Sequence, residues 1–156
     1  MLEFDIPGRP KLTIENIVFD YNGTLATDGV LAPEIKESLA KLARQAKVYI
    51  LTADTYGTVK EQCSGLDVNL KTFPKENAGR NKAEIVEELG AARTACIGNG
   101  FNDLPMCSCA ALSIAVIGEE GCSGKLLAAC DVIVKSISDA FELFFQPQRI
   151  KATLRN

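Results

Sequence analysis

The chain has 156 residues, 47% of them apolar, and carries a net charge of −3. That length suits one domain, residues 1–156, with one core. The absence of a basic block argues against nucleic acid as the main partner, since neutralising phosphates needs clustered Lys and Arg, and no apolar run approaches a membrane span.

The opening stretch, MLEFDIPGRP, lacks the basic end and long apolar run of a signal peptide, so a cytoplasmic location is the default expectation. Pro7-Gly8 and Pro10 within it predict a turn leading into a sheet edge. TIENIVF (13–19) ends in an apolar run that suits a buried strand. Residues 33–46 follow as a helix, with Pro33 near its start and Ile35, Leu39 and Leu42 on one face. VYILT (48–52) reads as a strand, 55–64 as a helix, and 67–72 as a strand. Residues 80–89 form a helix with Ile85, Val86 and Leu89 on one face, and 94–97 a strand. A helix over 102–110, a strand LSIAVI (112–117), a helix over 122–130, a strand over 132–134 and a helix over 136–145 complete the series. The tail PQRIKATLRN is basic and reads as a solvated surface tail, with an amphipathic extension as the alternative. Alternating strands and helices with short connections predict an α/β fold. Its form is a Rossmann-like three-layer sandwich with a mostly parallel central sheet and no cap domain.

There is no histidine, which excludes Ser-His-Asp catalysis and leaves acid–base work to carboxylates, lysine, tyrosine or cysteine. Cys63, Cys96, Cys107, Cys109, Cys122 and Cys130 form no CxxC pair, so a zinc site lacks its usual spacing. They read as small apolar core residues, unbridged in a reducing compartment.

In parallel sheets, ligands bind at the carboxyl ends of the strands. The first strand ends in Asp20-Tyr21-Asn22-Gly23-Thr24, the second in Thr52. Lys82 lies near the start of the helix after the third, and the fourth runs into Gly98-Asn99-Gly100-Phe101-Asn102-Asp103. Two carboxylates, a hydroxyl, an ammonium and glycine-rich turns thus converge. That set suits a phosphate with a divalent metal: a carboxylate can attack phosphorus, while cations and loop amides hold the oxygens.

The same segments resemble the haloacid-dehalogenase (HAD) superfamily. VFDYNGTLA resembles its first motif, hhhDxxGT; VYILTAD the second; Lys82 in NKAEIVEEL the third; and CIGNGFNDLPM the fourth, usually GDGxND. DYNGTLA is similar to the DKTGTLT of P-type ATPases, and SIAVIGEEG with ACDVIV resembles the end of their phosphorylation domain. About 30 residues separate Asp20 from Thr52 and Thr52 from Lys82, too few for a large cap, so the chain looks like the soluble, capless P-type-ATPase-like phosphatases. The resemblance implies Asp20 as nucleophile and metal ligand, and Asn22 at the catalytic position two residues on, with its carbonyl on the metal. Thr52 and Lys82 would hold the phosphoryl oxygens together with Gly23, Thr24 and Ala53. Asn99 and Asp103 would complete a Mg2+ site. The implied partner is a phosphorylated substrate, small molecule or macromolecule, and the open site suits a homo-oligomer.

Two positions depart from the pattern. The phosphatases carry Asp where this chain has Asn22, and an amide exchanges no proton in the working range. Asn99 replaces a metal-binding Asp, which predicts weaker Mg2+ binding with Asp103 taking a larger share. The sequence therefore supports a Mg2+-dependent phosphatase that turns over slowly, with a catalytically degenerate binding or regulatory scaffold as the alternative.

Overall fold

The chain opens with a hairpin rather than a bare turn. In this computed structural model, which describes residues 1–54 and 57–156, β1 (Leu2–Phe4) and β2 (Leu12–Ile14) pair antiparallel. Between them Arg9 N donates to Ile6 O at 3.1 Å, closing the turn at Pro7-Gly8. These two strands form their own sheet. The predicted strand over 13–19 is therefore two elements. They part at Glu15, whose N–H turns to Arg93 O while its carbonyl accepts from Lys47 N.

After this break comes β3 (Asn16–Asp20), buried along its whole length. It pairs in parallel with β4 (Lys47–Thr52) on one side and β6 (Thr94–Gly98) on the other. With β5 (Asn69–Thr72), β7 (Leu112–Val116) and β8 (Val132–Val134) the order is β5-β4-β3-β6-β7-β8, every pair parallel. A sheet with no antiparallel member must be covered on both faces, which is why β3, β6 and β7 read as unbroken apolar runs.

The covering elements are α1 (Pro33–Ala43), α2 (Thr58–Gln62), α3 (Ala78–Leu89), α4 (Leu104–Cys109), α5 (Gly124–Ala129), α6 (Ile137–Phe145) and α7 (Pro147–Leu154). The helix predicted over 55–64 is observed from Thr58; positions 55 and 56 lie outside the described residues. Alternation along β3 divides the core. Ile17 and Phe19 face Ile35, Leu39, Phe141 and Phe144, with the Phe19 and Phe141 rings stacked at 5.3 Å. Val18 points the other way, into a layer with Val86, Met106 and Leu126. All six cysteines are free, and Cys63, Cys96 and Cys107 are buried.

The C-terminal tail is not a solvated extension. Pro147 starts α7, and Ile150 and Leu154, four residues apart, are buried on one face of it. The basic side chain of Arg149 is exposed and that of Lys151 half-buried. Asn156 N closes on Pro7 O at 3.0 Å, joining this helix to the hairpin turn. No cap domain rises over the strand ends among the described residues, and none of their helices is long and apolar enough to cross a membrane.

Candidate active site

Because every strand of the main sheet points the same way, the ends of β3, β4 and β6 open onto one cleft of about 390 Å³. Asp20, the last residue of β3, lies at its floor. Thr52, the last residue of β4, and Ala53 line it, as do Asn22, Lys82 and Asn99. The structure thus gathers the four separated motifs within one pocket.

Lys82 is the hub. Its side chain is 2% exposed, and Nζ donates to Asp20 Oδ1 and Asp103 Oδ1, both at 2.7 Å, and to Asn102 Oδ1 at 3.0 Å. A lysine can be buried on a helix only because these oxygens take its three protons. The Phe73 ring, 5.5 Å from Nζ, covers it from the end of β5.

Asp103 sits behind the cleft. It is fully buried, and its Oδ2 accepts from the backbone N–H of Asn99 at 3.0 Å and of Gly100 at 2.9 Å. With Oδ1 on Lys82, both carboxylate oxygens are engaged in shaping the loop after β6. Gly98 is required by the same packing: a Cβ there would lie 2.5 Å from Asp103 Cγ.

The loop after β3 is equally constrained. Gly23 has φ +78°, and a Cβ would come within 2.5 Å of the Asn99 side-chain nitrogen. Gly23 N donates to Ala26 O and Thr24 N to Tyr21 O, so these amides are engaged inside the loop. Neither residue lines the cleft. Thr24 instead acts through its hydroxyl, 3.2 Å from Asp20 Oδ2 and 3.0 Å from Asn99 Oδ1, donating to one of them at a time. Asn99 in turn donates from Nδ2 to Gly121 O at 3.2 Å. A carboxylate at position 99 would face that carbonyl without a proton to give, which accounts for an amide there. Asn22 is exposed at the cleft mouth. Thr52 is buried, and its Oγ1 accepts from Asp54 N at 3.0 Å.

The site holds two carboxylates against one ammonium. Burial, and then the negative charge of Asp103, push the Asp20 carboxyl up to about 7 against the pull of Lys82 and Thr24. Burial opposes the charge on Lys82, but the two carboxylates outweigh it and hold its pKa above the ordinary value. A stability profile should follow. Folded Asp20 keeps its proton to about pH 7, whereas the unfolded carboxyl loses it near 3.8. The folded state therefore binds more protons in that window, and its stability should fall as pH rises from about 4 through about 7. Urea titrations in EDTA across this range check the slope; a rise in stability would contradict it.

Sequence reasoning missed Asn102, Phe73 and Lys75, all of which line the cleft. The NDLPM segment contained a signal for Asn102, since it precedes Asp103 on the same turn. Nothing marked Phe73 or Lys75 beyond their position after a strand.

No family model matches the chain. An uncharacterized protein of Methanocaldococcus jannaschii is 40% identical over 79 residues, 48% of this chain and 85% of that protein. A soluble P-type ATPase-like phosphatase of the same organism is 24% identical over 135 residues, 85% of this chain but 50% of that protein, so the chain spans about half its length. Among solved structures, the 3-deoxy-D-manno-octulosonate 8-phosphate phosphatase of Moraxella catarrhalis was determined with magnesium, phosphate and KDO. It matches with a TM-score of 0.71 at 18% identity, over 89% of this chain and 90% of that one, a likeness of fold. The six-stranded parallel sheet gives the chain the fold of that phosphatase, and its four strand-end motifs, in order, resemble those of the haloacid-dehalogenase superfamily. By sequence, the chain belongs to one family with the uncharacterized archaeal protein matched over 85% of that protein's length.

Proposed function

We propose that the protein is a Mg2+-dependent phosphatase with Asp20 as nucleophile. The observation that carries this reading is the buried Asp20–Lys82 contact of 2.7 Å at the floor of a strand-end cleft. An Asp20 oxygen attacks phosphorus, the P–O bond to the leaving group breaks, and an acyl phosphate forms. Water then attacks that phosphorus, releasing inorganic phosphate and restoring the carboxylate. Lys82, exchanging Asn102 for a phosphoryl oxygen, and Thr52 hold the phosphoryl group, while Thr24 and Asp103 fix the two loops that present Asp20 and Asn99.

The donor set fits Mg2+. Two carboxylates face one ammonium, so a further positive charge is accommodated. Among the described residues no cluster of three or more His, Cys, Asp and Glu could cage a metal, and Mg2+ needs none: it binds through one or two carboxylates, water and substrate phosphate. Asp20, the carbonyl of Asn22 and the amide oxygen of Asn99 would hold it, with Asp103 behind them. When bound, it would offset charge on the phosphoryl oxygens.

The test is to trap the intermediate. Wild type mixed with p-nitrophenyl phosphate and Mg2+, then quenched in acid, should yield the Asp20 peptide carrying one phosphoryl group. An unmodified peptide alongside measurable turnover would overturn the assignment. Asn22 cannot protonate a leaving group or activate water, so Asn22→Asp should raise kcat by about 10²-fold with esters of poor leaving groups. Steady-state rates with an alkyl phosphate check this.

A further inference from the structure

The cleft does not end at the nucleophile. Asn22, Ala53 and Lys75 line it and also line an adjoining cavity of about 300 Å³, walled by Tyr21, Thr58 and Val59. With phosphoryl oxygens on Lys82 and Thr52, the leaving group has this second cavity before it. A volume of that size lies at the small end of ligand pockets, suited to a compact molecule rather than to a polymer.

The charges along the two cavities are unevenly committed. Lys82 is taken up by Asp20 and Asp103. Asp54 accepts from Val59 N at 2.9 Å, at the first turn of α2. Lys75 is exposed, and among the described residues no ion pair engages it. It follows β5 by three residues, on the wall shared by both cavities. Among the described residues of the two cavities, its ammonium is thus the cation free to meet a group on the leaving side of the substrate. The apolar and aromatic remainder of the cavity, from Tyr21 and Val59, would pack the carbon skeleton.

We propose that this second cavity is the leaving-group subsite and Lys75 its anion-recognising residue. The substrate is then a small phosphate monoester whose leaving group bears a second anionic group, a carboxylate or a further phosphate. The inference rests on the phosphatase reading above.

Binding can be measured without turnover on the Asp20→Asn background. Calorimetry in Mg2+ would compare phosphoglycolate, ethanediol bisphosphate and the neutral-ended hydroxyethyl phosphate. The two anionic-ended esters should bind about fivefold tighter than the neutral one at low salt, the size of an exposed charge pair. The preference should shrink as salt rises. It should fall to parity when Lys75→Met is added and persist with Lys75→Arg. Whichever anionic ester binds tighter identifies the second anion. Parity with Lys75 intact, a preference that survives Lys75→Met, or no binding of any ester would overturn the proposal. Failure of wild type to hydrolyse these esters while the Lys75-dependent preference stands would instead count against the phosphatase reading alone.

Discussion

Asp20→Asn should abolish turnover and, at the same time, stabilise the metal-free fold. The loss follows from the proposed role of Asp20 as nucleophile; an amide oxygen does not form the acyl phosphate, and a fall of more than about 10³-fold in kcat is expected. The gain follows from the charge pattern. At pH 8 the wild-type fold must keep Asp20 ionised, although burial and the neighbouring Asp103 hold its pKa up to about 7. The amide keeps an acceptor for Lys82 and removes that cost, leaving Lys82 matched one to one with Asp103. The expected gain is roughly 2 kcal/mol, to be read by urea denaturation in EDTA at pH 8. A residue of purely structural importance would lose stability on the same substitution, so a destabilised, still active Asp20→Asn would dismiss both halves of the argument.

The opposite sign is expected at the partner. Lys82→Met removes the cation common to two carboxylates, one of them with no exposed surface. Breaking a buried ion pair from one side costs about 3–5 kcal/mol, because the remaining charge has lost its compensation. The penalty should be largest at pH 8. It should shrink at pH 5, where Asp20 takes up a proton and relieves the repulsion. Parallel denaturation curves at the two pH values measure this, and equal losses at both would show that the lysine acts through packing rather than charge. Activity should vanish in the same variant, since the proposed mechanism also has Lys82 hold the phosphoryl group.

The parts of this arrangement that were legible in the sequence are those set by local pattern. The runs around Val18, Ile50, Ile97 and Ile114 are buried strands because both faces of a parallel sheet are covered, and that leaves a contiguous apolar signal. Asp20, Thr52 and Lys82 could be placed together because a parallel sheet puts all its strand ends on one side. What was not legible depends on tertiary contacts. The strands of three residues each in the first hairpin are too short to show alternation, and the break at Glu15 exists because Arg93 and Lys47 meet it from distant segments. The terminal helix was outweighed by its basic residues, although Ile150 and Leu154 have the spacing of a buried stripe. The parts that Asp103 and Gly23 play inside their loops were not legible for a related reason. A motif names the residues near a phosphate, but only the hydrogen-bond partners tell which of them face it and which hold the loops behind.

The position of β3 also dictates when the site can come into being as the chain is made. Its two neighbours in the sheet are β4, beginning at Lys47, and β6, beginning at Thr94. Until residues 94–98 have left the ribosome, one edge of this wholly buried strand has no partner, and Asp103, which completes the charge balance around Lys82, does not yet exist. The nascent chain therefore carries an open apolar strand edge from the completion of β3 until β6 emerges, the interval in which unpaired strands invite misassociation. Pairings this far apart in sequence also form slowly. Translation past Asp103, rather than any event near Asp20 itself, is the point at which a competent centre can first close.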